Sequence, residues 1–197
     1  MKAFRTVTSR PVVLDRPDVD TDQIIPKQFL KRIERSGYGE FLFFDWSQDP
    51  DFELSRPEAE GASILLAGRN FGCGSSREHA AWALEDHGFR VIVAPSFGDI
   101  FHTNAIKTGL APIVLEAERI AELRDAVARR NELTVDLERL RITHPDGLEI
   151  AFPFDAYAQE TLVRGLDDIG RTLEREDEIS AFESTHPGRF DALVLPG

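Results

Sequence analysis

The sequence is poor in cysteine, with Cys73 as the single thiol among 197 residues. One cysteine excludes an internal disulfide framework. It also cannot supply alone the several thiolates that a structural zinc site or an iron–sulfur cluster requires. A chain without disulfides is typical of a reducing compartment, so we expect a cytoplasmic location.

Long apolar runs and an excess of positive charge are also missing. No stretch approaches the length of a membrane span, and residues 1–22 lack the apolar core of a signal peptide, so we expect neither. Lysine and arginine number 23 against 35 aspartate and glutamate, which gives a formal charge of −12. Because nucleic acids and anionic membranes attract chains of the opposite sign, we expect neither as a partner. Any bound anion must then be held by a local concentration of positive charge.

The composition is that of a globular protein, with 42% apolar and 29% charged residues, and the central part is the most regular. Short apolar runs there alternate with helical patterns. The expected elements are a strand at Ile64–Ala67, a helix at Ser75–His87, a strand at Val91–Ala94, a helix at Phe97–Thr108 and a strand at Pro112–Leu115. Gly88 and Gly109 stand where left-handed helix caps are expected. This order predicts an α/β fold with parallel strands joined by right-handed crossovers.

The flanks are less regular. The remaining expected elements are short strands at Val12–Leu14 and Gln23–Pro26, mostly loop over 36–60, an amphipathic helix at Glu116–Arg130, and strands at Leu133–Leu137, Arg141–Thr143 and Leu148–Phe154. Residues 165–197 hold eight acidic residues and three arginines, and their pattern is helical. Such a charge pattern is typical of a solvated surface helix.

A glycine-rich loop, Gly68–His79, follows the first central strand. Ser75 and Glu78 have the spacing of a capping box, which predicts that the next helix begins at or beside Ser75. Helix N-terminal amides beside a glycine loop bind anions. Arg77 adds a planar donor fork suited to a carboxylate or a phosphate. The loop therefore indicates an oxyanion-binding site.

Several familiar motifs are excluded by counting. The loop lacks the Gly-Lys-Ser/Thr of a P-loop and the third glycine of a dinucleotide fingerprint. It also lacks the flanking glycines of a hydrolase nucleophile elbow. His79, His87 and His102 have no zinc spacing, which favours structural roles. Two simpler interpretations stay open: Ser75 as a helix cap only, and Cys73 as an inert small residue.

Two segments resemble signatures of the aconitase-type swivelling-domain family. One is Gly72–Ala80, with the sequence GCGSSREHA, and the other is Val19–Pro26, with the sequence VDTDQIIP. Shorter matches follow in order at Phe29–Lys31, Phe97–Phe101 and Gly165–Ile169. Within this family, the chain is similar over almost its whole length to the small subunits of bacterial 3-isopropylmalate dehydratases.

The resemblance implies a swivelling β/β/α domain at 1–164 with an acidic helical extension, 165–197, packed on it. It implies a separate large subunit that carries a 4Fe–4S cluster, so this chain alone would bind no cofactor. The implied reaction interconverts 2-isopropylmalate and 3-isopropylmalate through 2-isopropylmaleate, in leucine biosynthesis. The metal would therefore lie across a subunit interface.

The resemblance also implies roles for individual residues. Ser75 matches the serine whose alkoxide removes the proton next to a substrate carboxylate, and Ser76, Arg77 and Gly74 match the substrate-binding positions. Asp22 matches an active-site aspartate that would orient the arginine and the serine, with an Asx-turn residue as the simpler interpretation. Glu78 is interpreted as a capping partner rather than an acid catalyst.

Substrate choice is expected to lie after Pro26. Phe29, Leu30 and Ile33 offer apolar surface for an isopropyl group, and Lys31 belongs to the same segment. Which of the cations Lys31, Arg32 and Arg35 face the site stays open. So do two other functions: a related hydro-lyase for a smaller diacid of the citraconate or methylmalate type, and an anion-binding module in which Ser75 only caps a helix.

Overall fold

The computed structural model describes residues 1–31 and 36–186. The chain divides into two compact units, Met1–Gly165 and Leu166–Gly197. In the described ranges the strands are β1 (Thr6–Ser9), β2 (Pro11–Leu14), β3 (Ile64–Ala67), β4 (Val91–Ala94), β5 (Ala111–Val114), β6 (Leu133–Asp136), β7 (Arg141–Thr143) and β8 (Glu149–Ala151). The α-helices in those ranges are α1 (Thr21–Ile24), α2 (Glu78–His87), α3 (Asp99–Thr108), α4 (Ala117–Arg129), α5 (Ala156–Arg164), α6 (Asp168–Leu173) and α7 (Glu176–Thr185).

The strands form two four-stranded sheets. One is fully parallel in the order β2-β3-β4-β5, and the other is antiparallel in the order β1-β6-β7-β8. α2 connects β3 to β4 and α3 connects β4 to β5, which confirms the predicted alternation of strands and helices. The sequence missed β1, which pairs along its whole length with β6.

The parallel sheet is buried on both faces, as sheets with crossover helices generally are. Leu65 and Ile92 belong to a core shared with α2 and α3. Leu66 and Val93 point to the other side, into a core shared with the antiparallel sheet and α4. Successive strand residues alternate between faces, so β3 and β4 contribute to both cores. The layers are therefore sheet, sheet and helices, and the predicted β/β/α arrangement is confirmed.

Glycines end the two crossover helices where the sequence predicts them. Gly88 after α2 has a φ of 117° and Gly109 after α3 a φ of 104°. Both amides return to carbonyls of the preceding helical turn, which closes each helix in the left-handed conformation that glycine adopts without strain.

One prediction about the flanks needs correction. Gln23–Pro26 is not a strand, because residues up to Ile24 form α1. Asp20 and Gln23 build a reciprocal capping box at its start, and this local pairing outweighs the β-branched residues that follow. The aromatic segment 36–60 is mostly loop, as predicted, with three short 3₁₀ turns, and its Tyr38, Phe43 and Phe52 are buried in the first core.

The second unit is helical in its described part. Asp167 caps the start of α6, and its carboxylate accepts a hydrogen bond from the Gly170 amide at 2.7 Å. α7 has three acidic residues in its first turn, which suits the positive end of a helix dipole. Among the described residues, no helix has the length and apolar character needed to cross a membrane.

The half-buried His102 on α3 makes the fold sensitive to acid. Burial lowers the pKa of its imidazole, against the opposing effects of Asp99 and of a hydrogen bond to the Pro112 carbonyl. A base with a lowered pKa in the folded state binds its proton more readily in the unfolded chain. Its destabilising effect is therefore absent above the ordinary histidine pKa and grows as the pH falls below about 6.5.

We expect the free energy of unfolding to fall between about pH 7 and pH 5, and to fall less in His102→Gln, which keeps a donor for Pro112. One proton bound only by the unfolded chain contributes at most about 1.4 kcal/mol per pH unit to this slope. Urea unfolding at several pH values measures it, with each variant referenced to its own stability at pH 8. Parallel profiles for the two proteins would contradict the assignment.

Candidate active site

Three loops meet beyond the carboxyl ends of the parallel strands β2, β3 and β4. Backbone hydrogen bonds join them: the Thr21 amide donates to the Cys73 carbonyl at 2.9 Å, and the Gly72 amide donates to the Val19 carbonyl at 2.7 Å. The Gly98 amide, before α3, donates to the Phe71 carbonyl at 2.9 Å. The two segments that carry the family signatures are therefore held together by main-chain bonds at one edge of the sheet, where ligands of open α/β sheets bind.

Gly72 and Gly98 make this convergence possible. Gly72 has a φ of +73°, and a Cβ built there would lie 2.2 Å from the Phe101 ring. A Cβ on Gly98 would lie 2.6 Å from the Gly72 carbonyl oxygen. Both distances are too short for a side chain, so the loop packs against α3 only because these two positions are glycine.

Ser75 is exposed at the outer side of this loop. The prediction that α2 begins at or beside Ser75 is wrong: α2 begins at Glu78, and its N-cap is Arg77, which makes no side-chain capping bond. The Ser75 carbonyl instead accepts a hydrogen bond from the Arg77 amide at 2.8 Å, which tightens the loop before the helix. Ser75 and Glu78 therefore form no capping box, and the Ser75 hydroxyl makes no capping hydrogen bond to α2.

Thr21 is the residue that contacts the Ser75 hydroxyl. Thr21 Oγ1 lies 3.3 Å from Ser75 Oγ, and it donates to the Ser75 carbonyl oxygen at 3.1 Å. Thr21 is only 1% exposed, and its amide is fixed by the loop contact to Cys73. The serine side chain is thus exposed to solvent on one side and held by a buried hydroxyl on the other.

Arg77 and Asp22 form an ion pair beside this serine. Arg77 Nη1 donates to Asp22 Oδ1, and Lys27 Nζ lies 3.7 Å from Asp22 Oδ2. The Arg77 side chain is 17% exposed and that of Asp22 is 41% exposed, so solvent reaches the carboxylate more than the guanidinium. Two cations thus surround one carboxylate, which concentrates positive charge locally in an acidic chain.

Ser76 and Gly74 lie exposed on either side of Ser75. Ser76 makes no side-chain hydrogen bond to another residue in the described part of the chain. Gly74 has a φ of +95°, and a Cβ there would lie 3.4 Å from the Asp20 side chain, which is an ordinary contact. The conformation rather than the space favours glycine at this position.

The Cys73 thiol is held in its protonated form. Partial burial raises its pKa, and the carboxylates of Asp20 and Asp18 raise it further, while a backbone hydrogen bond acts in the opposite direction. The thiolate is the nucleophilic form of cysteine, so this environment disfavours a nucleophilic role.

His79 packs between Tyr38 and Trp82, with ring centroids at 5.3 Å and 4.7 Å. Burial lowers the pKa of its imidazole, and Arg77 lowers it further against the effect of Glu78. The lowered pKa favours the neutral imidazole, and the ring packs in aromatic contacts with Tyr38 and Trp82.

The segment after Pro26 forms a 3₁₀ turn over Lys27–Lys31. Phe29 and Leu30 are half-buried against the first core, and the Phe29 ring stacks on Phe41 at a centroid distance of 4.2 Å. Lys31 is exposed. The predicted specificity residue Ile33, and the neighbouring Arg32 and Arg35, lie outside the described residues.

The chain does not fit an iron–sulfur cluster of its own. Cys73 is the only thiol in the sequence and its pKa is raised, whereas a cluster needs several deprotonated thiolates. Among residues 1–31 and 36–186, no group of three or more histidine, cysteine, aspartate or glutamate side chains is placed to hold a metal ion.

The sequence analysis assigned no role to Thr21, which contacts Ser75, or to Lys27, which lies beside Asp22. Thr21 stands inside the VDTDQIIP signature, next to Asp22, and Lys27 follows it directly. Their positions in that signature were the available signal. Their contacts arise only when the loops after β2 and β3 come together, so local pattern alone could not reveal them.

Comparison with known families agrees with this architecture. A family model for the aconitase C-terminal domain matches residues 1–118. A second model, for the C-terminal domain of the 3-isopropylmalate dehydratase small subunit, matches residues 168–191. The fold and its paired loops thus define an aconitase-type domain.

Individual relatives narrow the assignment. The 3-isopropylmalate dehydratase small subunit of Rhodopirellula baltica is 56% identical over 93% of this chain and 98% of its own length. The small subunit of Bacillus licheniformis is 55% identical over 93% of this chain and 96% of its own length. A solved structure titled 3-isopropylmalate dehydratase, from Methanocaldococcus jannaschii, has a TM-score of 0.66 at 26% identity and covers 89% of this chain and 98% of its own.

This chain belongs to the family of 3-isopropylmalate dehydratase small subunits. Members of this family are subunits of a hydro-lyase and act together with a large subunit. The resemblance found in the sequence is confirmed.

The close packing of Gly72 generates a prediction with a matched control. Gly61 has a φ of +72°, almost the same as Gly72, but nothing lies within 4 Å of a Cβ built on it. Gly61→Ala should therefore cost only the conformational strain, about 1–2 kcal/mol. Gly72→Ala should cost roughly 1–3 kcal/mol more, because the methyl group meets the Phe101 ring.

Urea unfolding of the two variants measures this difference. Equal losses of unfolding free energy would show that the approach of Phe101 to the loop does not constrain position 72.

Proposed function

We propose that this chain binds the substrate carboxylate and transfers the proton in the interconversion of 2-isopropylmalate and 3-isopropylmalate through 2-isopropylmaleate. A large subunit would carry the 4Fe–4S cluster, and the complex would work in the cytoplasm in leucine biosynthesis. The observation that carries the proposal is that the exposed Ser75 contacts the buried Thr21 hydroxyl and lies in the same loop as Arg77, which is paired with Asp22 of α1.

Ser75 acts as the base. Its alkoxide takes a proton from the methylene carbon next to a carboxylate, and the electron pair of that C–H bond becomes the new double bond as hydroxide leaves the neighbouring carbon. To form 3-isopropylmalate, the Ser75 hydroxyl gives its proton to the carbon that lost hydroxide, which regenerates the alkoxide, while hydroxide adds to the carbon that lost the proton. The departure and addition of hydroxide are not performed by residues of this chain.

A serine hydroxyl is a weak base precursor unless its anion is stabilised. Arg77 supplies a fixed positive charge two residues away, and the low exposure of its guanidinium limits screening by solvent. Because α2 begins three residues after Ser75, the helix dipole contributes less here than the sequence predicted. The field therefore comes chiefly from side chains.

Arg77 also binds a substrate carboxylate. Its guanidinium has five donors, and the bond to Asp22 uses only part of that fork. Asp22 thereby orients the arginine, and Lys27 offsets the charge of Asp22 from its other side. We assign Ser76 and the Gly74 amide to the same carboxylate, because both are exposed next to Ser75.

Substitution of Ser75 tests the base assignment. We expect Ser75→Ala to lower kcat by about 1,000-fold or more in the complex with the large subunit, because no other group of this cluster replaces the alkoxide. The matched variant Ser76→Ala should raise KM and keep most of kcat, since it removes a binding contact only. Turnover of 2-isopropylmalate and of citraconate is measured for both.

Full activity of Ser75→Ala in an intact complex would remove the base assignment and leave the serine as an anion contact. Faster turnover of citraconate than of 2-isopropylmalate by the unmodified complex would instead favour the smaller diacid as substrate.

Substitution of Arg77 tests the carboxylate contact. Arg77→Lys keeps the charge but loses the planar fork, so KM for 2-isopropylmalate should rise roughly 10- to 100-fold, the equivalent of about 1.5–3 kcal/mol for a hydrogen bond to a charged group. Asp22→Asn keeps the side-chain shape and should give a smaller rise in KM, because it only loosens the arginine. An unchanged KM in Arg77→Lys would contradict the contact.

A further inference from the structure

We propose that Thr21 is a positioning residue for the catalytic base, whose hydroxyl proton changes acceptor when Ser75 ionises. This inference rests on the proposed function of Ser75 and deepens it. The contacts that carry it are those of one buried hydroxyl with two oxygens of the same serine.

Thr21 has a single hydroxyl proton and two acceptors within reach. The Ser75 carbonyl oxygen lies 3.1 Å from Thr21 Oγ1 and Ser75 Oγ lies 3.3 Å from it. When the proton is donated to the carbonyl, a lone pair of Thr21 Oγ1 remains as the acceptor for the Ser75 hydroxyl. In this resting arrangement both hydroxyl protons are used, and Ser75 Oγ is oriented by Thr21.

Ionisation of Ser75 reverses the preference. The Ser75 proton goes to solvent water, and the alkoxide becomes a much stronger acceptor than the peptide carbonyl at nearly the same distance. The Thr21 hydroxyl then rotates and donates to Ser75 Oγ instead of the carbonyl oxygen. Apart from the loss of the Ser75 proton, only hydrogen bonds change in this step. The carbonyl oxygen keeps the hydrogen bond from the Arg77 amide, so it is not left without a partner.

The position of Thr21 suits this role. It is almost fully withdrawn from solvent, it is the first residue of α1, and its amide is bonded to the loop that carries Ser75. A donor fixed in this way needs little reorganisation when charge develops on its neighbour. Hydrogen bonds to charged groups contribute more than those between neutral groups, so the effect should appear in the rate rather than only in stability.

Thr21→Val removes the hydroxyl and keeps the shape of the side chain. In the complex with the large subunit we expect kcat for 2-isopropylmalate to fall roughly 10- to 100-fold. The pKa of Ser75 should rise without its donor, so kcat/KM should keep increasing with pH beyond the point where the unmodified enzyme levels off. Thr21→Ser, which restores a hydroxyl, should recover most of the rate and the original pH profile.

In these variants the paired groups Arg77, Asp22 and Lys27 and the carboxylate of Asp20, which caps α1, all remain. Thr161→Val is the matched control, since Thr161 is also a buried threonine in a helix, and its hydroxyl donates to the Tyr157 carbonyl. It should leave kcat and the pH profile unchanged. Thermal melting of every variant identifies losses that come from folding.

The outcomes separate this inference from the proposed function. A slower Thr21→Val enzyme with an unshifted pH profile, not rescued by Thr21→Ser, would assign Thr21 a structural role and overturn the inference. An unchanged rate in Thr21→Val, with Ser75→Ala inactive, would overturn it as well and leave the base assignment standing. Activity of Ser75→Ala would overturn both, because Thr21 would then have no base to position.

Discussion

The site depends on the main-chain bonds between the loop after β3 and the segment after β2. The residues of each pair, Thr21–Cys73 and Val19–Gly72, are more than fifty positions apart in sequence. Their hydrogen bonds fix the positions of the two loops that carry Ser75, Arg77 and Asp22. Strand pairing alone would bring the two loops to the same edge of the sheet but would not fix their register. The amide bonds fix it, and the side-chain contacts of Ser75 and Arg77 follow from it.

A doubly buried parallel sheet gives these loops a rigid base. Its inner strands β3 and β4 supply apolar residues to a core on each face, so movement of either strand would disturb both cores. The polar chemistry is confined to the ends of the strands, where backbone groups can leave the sheet. This separation lets an acidic protein keep two cations close together without weakening its interior.

Much of the fold was predictable from local pattern, and most of the site was not. Ile64–Ala67 and Val91–Ala94 were identified because they are short apolar runs bounded by turn residues. The start of α2 was not, because the capping spacing of Ser75 and Glu78 competes with tertiary bonds that hold Ser75 in the loop. The resemblance identified Ser75, Arg77 and Asp22 as candidate site residues. The contact between Thr21 and Ser75 forms only when the two loops come together in the fold, so the sequence alone could not reveal it.

The protonated state of Cys73 has a consequence for durability. Peroxides and alkylating agents attack thiolates, and partial burial together with the carboxylates of Asp20 and Asp18 raises the pKa of this thiol and so disfavours the thiolate. A cysteine two residues before Ser75 would otherwise be the most reactive side chain of the loop. Burial and the two neighbouring aspartates together thus make this loop a poor target for oxidation.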